Sequence, residues 1–150
     1  MSELKDRLRA DLTTAMKARD PLRTSTLRMA MAAVKDEEVA GRSARELSDS
    51  DVQKVLTREV RKRREAADAF AAAGREEQAA KERDEGLILA AYLPQQLDDE
   101  ELTEIIDRVI AEQGLSGPKA MGAAMKAVQS QVAGRAEGSR VSALVRARLL

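Results

Sequence analysis

Wherever apolar residues cluster in this chain they fall at helical spacing, and nowhere do β-branched residues alternate with polar ones. Leu102, Ile105, Ile106, Val109 and Ile110 stand at i, i+3, i+4, i+7 and i+8. That period puts all five on one side of a helix, whereas a strand would divide them between its two faces. Leu4, Leu8, Leu12 and Ala15/Met16 repeat in the same way, as do Val52, Val55, Leu56, Val60, Ala67, Phe70 and Ala71. Ala, Leu, Arg, Glu and Lys, all good helix formers, dominate the composition. The predicted fold class is all-α, with no strand.

Helix-stop and helix-start residues divide the pattern into seven helices. Helix one covers about residues 2–18. Asp20 is placed as the N-cap of helix two and Pro21 at its first position, where the missing N–H costs nothing. Leu22, Leu27, Ala30 and Val34 carry that helix, and Gly41 ends it. Ser48 caps helix three, with Asp49 and Asp51 complementing its dipole, and the helix runs to about Gly74. Helix four spans about residues 75–92, with Leu87, Ile88, Ala90 and Ala91 as its expected buried face. Leu93-Pro94 stops it, because proline disfavours a helical residue before it.

Pro94-Gln95-Gln96-Leu97 reads as a domain boundary. It separates an N-terminal four-helix domain, 1–94, from a small C-terminal three-helix domain, 97–150. Asp98 and Glu101 have capping-box spacing at the start of helix five, and Gly114 closes it. Ser116-Gly117-Pro118 starts helix six, whose stripe is Met121, Met125, Val128 and Val132. A turn at Gly134–Gly138 leads to helix seven, with Val141, Leu144, Val145 and Leu149. A unit of about 55 residues has little core of its own.

Composition excludes several kinds of chemistry. The 150 residues include no Cys and no His, one Phe, one Tyr and no Trp. Disulfides, cysteine nucleophiles, histidine bases and Cys/His zinc sites are therefore impossible. So is an aromatic sheet that stacks RNA bases. No Gly-rich phosphate loop is present; the glycines at 134 and 138 lack the strand-to-helix context. No carboxylate is marked by an apolar setting that would make it a catalytic acid. The expectation is no catalytic residue, no metal and no cofactor. With no apolar signal core and no long apolar window, it is also a cytoplasmic protein without a membrane segment.

The net charge is zero, 26 basic against 26 acidic residues, but the charges are segregated. Between Asp98 and Glu112, Arg108 is the single base among acids. Between Leu115 and Leu150, Glu137 is the single acid among Lys119, Lys126, Arg135, Arg140, Arg146 and Arg148. Lys119, Gly122, Lys126 and Gln129 form one helical stripe beside the apolar one. A glycine inside a helix costs about 1 kcal/mol relative to alanine. Either a crossing helix packs against Gly122, or a sugar-phosphate backbone approaches it between the two lysines. A second basic run, with Arg58, Arg61, Lys62 and Arg64, is either a solvated face laced by i, i+4 pairs or an auxiliary phosphate-contact patch.

In order and spacing, these residues resemble the GatB/YqeY family along nearly the whole chain. The resemblance rests on Arg28-Met29, Glu37-Glu38, the run Val55 to Arg63, Ala73-Gly74-Arg75 and Lys81-Glu82…Glu85. It continues through Tyr92-Leu93-Pro94-Gln95-Gln96-Leu97, Met121-Gly122-Ala123-Ala124-Met125 and Gly134-Arg135-Ala136-Glu137-Gly138. Glu137 departs from the Asp that the family favours but keeps its charge. The resemblance implies a C-terminal part similar to the tail of the B subunit of the tRNA-dependent amidotransferase. That enzyme amidates Glu-tRNA(Gln) or Asp-tRNA(Asn), and its tail helps to hold the outer part of tRNA. The kinase and glutaminase parts have no counterpart in this sequence. The expectation is a tRNA-binding accessory protein, with tRNA and a tRNA-modifying or aminoacylation enzyme as partners. Its RNA contact is placed at Lys119, Gly122, Lys126, Arg135 and Arg140. The alternatives are a helical protein-interaction module, or a carbon–nitrogen ligase with glutamine as amido-N-donor that acts only with partner subunits.

Overall fold

A computed structural model describes residues 2–150. The elements run α1 (Glu3–Lys17), α2 (Pro21–Glu38), α3 (Asp49–Ala72), α4 (Glu76–Ala90) and α5 (Asp99–Gln113). A 3-10 turn (Pro118–Ala120), α6 (Met121–Val132) and α7 (Gly138–Leu149) complete the chain. The described residues contain seven α-helices and no strand. The chain divides between Leu93 and Pro94 into two units, each with its own core.

The helix ends follow from local chemistry. Asp20 accepts a hydrogen bond from the Arg23 N–H, and Pro21 takes the first helical position. Ser48 and Asp51 close a reciprocal capping box, and so do Asp98 and Glu101. Each such cap satisfies N–H groups that a helix start would leave unpaired, at roughly 1 kcal/mol apiece. Gly114 ends α5 with φ of 60°, a left-handed conformation glycine adopts without strain. Helix two ends at Glu38, short of Gly41. Pro118 opens the 3-10 turn, and α6 itself begins only at Met121.

In the first unit α1, α2, α3 and α4 close over Leu8, Leu27, Ala30, Val34, Val52, Leu56, Leu89 and Tyr92. The expected buried face of helix four is not the observed one. Leu87 is 69% exposed and Ala91 is exposed, whereas Ala79, Glu85, Leu89 and Tyr92 are buried. Glu85, Leu89 and Tyr92 share a face at i, i+4 and i+7, and the charged Glu85 hid that face in the sequence. Met16 is also exposed, and Val60 and Phe70 are only half-buried.

The second unit closes over Leu97, Leu102, Ile106, Val109, Ala124, Val128, Val132, Ala136, Val141, Val145 and Leu149. Ala124 takes the central place on helix six; Met121 and Met125 flank it, half-buried.

Candidate nucleic-acid interface

The clasp that starts the C-terminal unit determines which of its cations are available. The Leu97 N–H donates to the Arg135 carbonyl at 2.8 Å, and Leu97 is buried in the core. The Gln96 side-chain amide donates to the carbonyls of Pro94, at 2.8 Å, and Gly134, at 3.3 Å. Arg135 Nε returns a bond to the Gln95 carbonyl at 3.0 Å. Arg140 Nε donates to Asp99 Oδ1 at 2.9 Å, and its Nη2 donates to the Leu97 carbonyl. Ala133 and Gly134 turn the chain with φ of 44° and 82°, bringing the Arg135 carbonyl opposite Leu97. The segment after Pro94 and the turn before α7 are thus one clasp, and Arg135 and Arg140 are its bolts.

Lys119 and Lys126 stand elsewhere. Both are exposed, and neither is ion-paired among the described residues. Gly122 lies between them, also exposed. Apart from its chain neighbours and the backbone of its own helix turn, no described heavy atom comes within 4 Å of the place where a Cβ would stand. The helix-crossing explanation of this glycine therefore fails, since nothing of this chain packs against it. Gly122 and Lys126 stand one turn apart on α6 and Lys119 in the 3-10 turn before it, while Arg135 and Arg140 are tied to the chain's own oxygens.

The helix-three patch is largely neutralised from within. Arg58 pairs with Glu37 at 3.0 Å, Arg61 with Glu65 at 3.6 Å and Lys62 with Glu59 at 3.1 Å. Arg64 is not free either. These pairs, mostly exposed, add little stability, but each offsets a charge that a phosphate would need.

One member of that run has left the surface altogether. Arg63 is 4% exposed and sits between two buried carboxylates. Its Nη1 donates to Glu59 Oε1 at 3.2 Å and to the Glu59 carbonyl at 3.1 Å. Its Nε faces Glu85 Oε2 at 3.4 Å, an ion pair without hydrogen-bond geometry, and its Nη2 reaches the Met29 sulfur at 3.8 Å. Glu59 and Glu85 are thus buried carboxylates, a burial the sequence reading did not pick out, and both face a guanidinium. The signal was positional: Arg63 is i+7 from Leu56 and four before Ala67, on the apolar stripe itself.

Elsewhere in the first unit the Tyr92 hydroxyl donates to Asp11 Oδ2, and the Arg7 guanidinium lies 4.6 Å from the Tyr92 ring centre. Burial, then the neighbouring Asp11, pushes the Tyr92 phenol well above its ordinary pKa. Lys5 Nζ bonds Glu38 Oε2 at 2.6 Å and holds that carboxyl below its ordinary range. A cavity of about 200 Å³ beside this pair is lined by Ser2, Lys5, Asp6, Arg9, Glu38, Glu46 and Leu47. No cluster of carboxylates among the described residues is arranged to hold a metal, and no described helix is long and apolar enough to cross a membrane.

The molecule is thus an all-helical protein of two units, the second carrying an unpaired basic surface around an open glycine. The chain belongs to the Yqey-like protein family, whose profile matches residues 5–149. A search of curated proteins finds no match.

Proposed function

We propose that this is a tRNA-binding accessory protein that contacts the sugar-phosphate backbone through its C-terminal unit and works beside a tRNA-handling enzyme in the cytoplasm. The observation that carries this reading is Gly122, a solvent-open glycine in the first turn of α6, with the exposed cations Lys119 in the 3-10 turn before it and Lys126 one turn after it. A glycine there weakens the helix with no packing gain to offset it. Close approach of an external backbone between two cations supplies the missing reason. The neutralised patch on α3 supports the same placement, because its cations already face Glu37, Glu59 and Glu65. Arg135 and Arg140 take the smaller share, mainly by fixing the clasp beside the turn.

The RNA is held mainly by its phosphates. With one Tyr, buried, and one Phe in the first unit, the second has no aromatic platform for bases. The test is an electrophoretic shift with total tRNA at several salt concentrations. Lys119→Ala with Lys126→Ala should weaken binding and flatten its salt dependence by roughly 0.7–0.9 log unit for each phosphate no longer neutralised. Arg61→Ala with Arg64→Ala should change both less. Loss of binding in the α3 pair, with the α6 pair unaltered in affinity and slope, would show that the RNA sits on the first unit instead.

A further inference from the structure

Helix α7 carries one cation without an ion-pair partner among the described residues, and helical geometry sets it on the flank that faces α6. Arg146 is exposed and has no ion-pair partner among the described residues. Its neighbour two residues on, Arg148, is occupied: Nε and Nη2 grip the Asp107 carboxylate at 2.9 and 2.7 Å. Asp107 belongs to α5, so Arg148 marks the flank of α7 that faces α5. On α6 the corresponding flank is marked by Gln131, which accepts from Arg108 of α5 at 3.0 Å.

The opposite flanks of α6 and α7 face each other. Gln129 Nε2 lies 3.9 Å from where a Cβ at Gly138 would stand. At the other end the Gly117 N–H donates to the Leu149 carbonyl at 3.1 Å. These two approaches make α6 and α7 antiparallel and set the register: Lys126 is level with Val141, next to Ser142, and Gly122 with Val145, next to Arg146. Positions three, four and seven apart share a flank, so Gly122 and Lys126 lie on the same flank as Gln129. Likewise Ser142 and Arg146 lie on the same flank as Gly138. Neither Gly122 nor Gly138 adds a side chain to these facing flanks, and each flank carries a cation, Lys126 on α6 and Arg146 on α7.

We infer that Arg146 is a third phosphate-contacting residue, and that the RNA backbone lies along the α6/α7 seam with Lys119 and Lys126 on one bank and Arg146 on the other. This rests on the RNA-binding reading above and sharpens it: a single stripe gives one line of charge, whereas two banks hold a polyanion's strand between them. A guanidinium can also grip phosphate with two parallel N–H bonds, which a lysine cannot. The free charge on both banks is entirely basic, which fits a phosphodiester chain; an acidic polypeptide is the rival occupant and is an arm of the test.

The experiment measures affinity for tRNA, and for polyglutamate, at four salt concentrations. It uses the full chain as wild type, Arg146→Ala, Arg146→Lys, Arg148→Ala and Lys119→Ala/Lys126→Ala. Arg146→Ala should flatten the salt slope by about 0.7–0.9 log unit, Arg146→Lys should keep the slope, and Arg148→Ala should leave it unchanged. Arg146 is exposed, so its variants should melt with the wild type. A slope unchanged in Arg146→Ala but flattened in the lysine pair would overturn the two-bank seam and leave the RNA-binding reading standing. No tRNA binding by the wild type, or tighter binding of polyglutamate than of tRNA, would overturn both.

Discussion

The two units of this chain are both helical and both closed around aliphatic side chains, yet they place their charges in opposite ways. The first unit buries charge: Glu38, Glu59, Arg63 and Glu85 are all less than a tenth exposed. The buried residues of the second unit are apolar without exception, and its paired charges lie on the rim, Arg140 on Asp99 and Arg148 on Asp107. A buried ion pair stabilises weakly against an apolar replacement, but losing one partner strands the other. It therefore specifies which helix faces which. Rim pairs do little of that, and in the second unit they leave Lys119, Lys126 and Arg146 uncommitted. The first unit locks part of its charge between helices, whereas the second keeps all of its charge at the surface, Lys119, Lys126 and Arg146 without an ion pair.

The largest expected effect tests that contrast directly. Arg63→Ala leaves Glu59 and Glu85 buried without their cation and should destabilise the first unit by about 3–5 kcal/mol. Arg140→Ala, at a partly exposed rim pair, should cost the second unit about 1 kcal/mol or less. Urea unfolding followed by hydrogen exchange separates the units; equal losses at the two sites would dissolve the distinction.

Acid should reach the first unit first. Asp49 is held below its ordinary range by the Ser2 hydroxyl and the Leu4 N–H, and Asp51 by the backbone N–H and hydroxyl of Ser48. Glu38 is lowered by Lys5. A carboxyl whose folded pKa lies below its unfolded one stabilises fully above the unfolded value, about 4. That stabilisation drains away as the pH falls through the folded value, because the unfolded chain then binds more protons. Amide exchange between about pH 5 and pH 2 should show α1, the end of α2 and the start of α3 opening before the apolar core of the second unit. Asp49→Asn should shrink the difference, and a first unit that outlasts the second in acid would contradict it.

The smallest effect carries the opposite sign. Gly122→Ala meets no described atom within 4 Å beyond its own helix turn and, in the first turn of α6, should stabilise that helix by about 0.5 kcal/mol or less. The same methyl stands where the RNA backbone is proposed to approach, so tRNA affinity should fall while the melting temperature rises. A variant that is both more stable and equally good at binding would show the open glycine to be unrelated to RNA.

What could be read from the residues alone was most of what is decided within a turn or two of helix, although α2 stops short of Gly41 and Pro118 opens a 3-10 turn rather than α6. Asp20-Pro21, Ser48 with Asp51, Asp98 with Glu101, and Gly114 state where helices begin and end, because a cap satisfies backbone groups three or four positions away. The stop at Pro94 and the apolar stripes of α5 and α7 are equally local. Tertiary packing decided the rest. Arg63, Glu59 and Glu85 look like surface charges until α3 and α4 meet, since burial depends on a partner helix far away in sequence. For the same reason the buried face of α4 was misplaced. Charge segregation pointed to the C-terminal cations, but sequence could not distinguish the occupied ones from the free. Arg135, Arg140 and Arg148 are engaged by oxygens 40 or 41 residues away, at Gln95, Asp99 and Asp107. Arg146 has no such partner among the described residues, and only the antiparallel seating of α7 on α6 brings it within a residue of the level of Gly122. Side-chain period and capping chemistry act within one helix, while the pairing of charges is settled by which helices the cores force together.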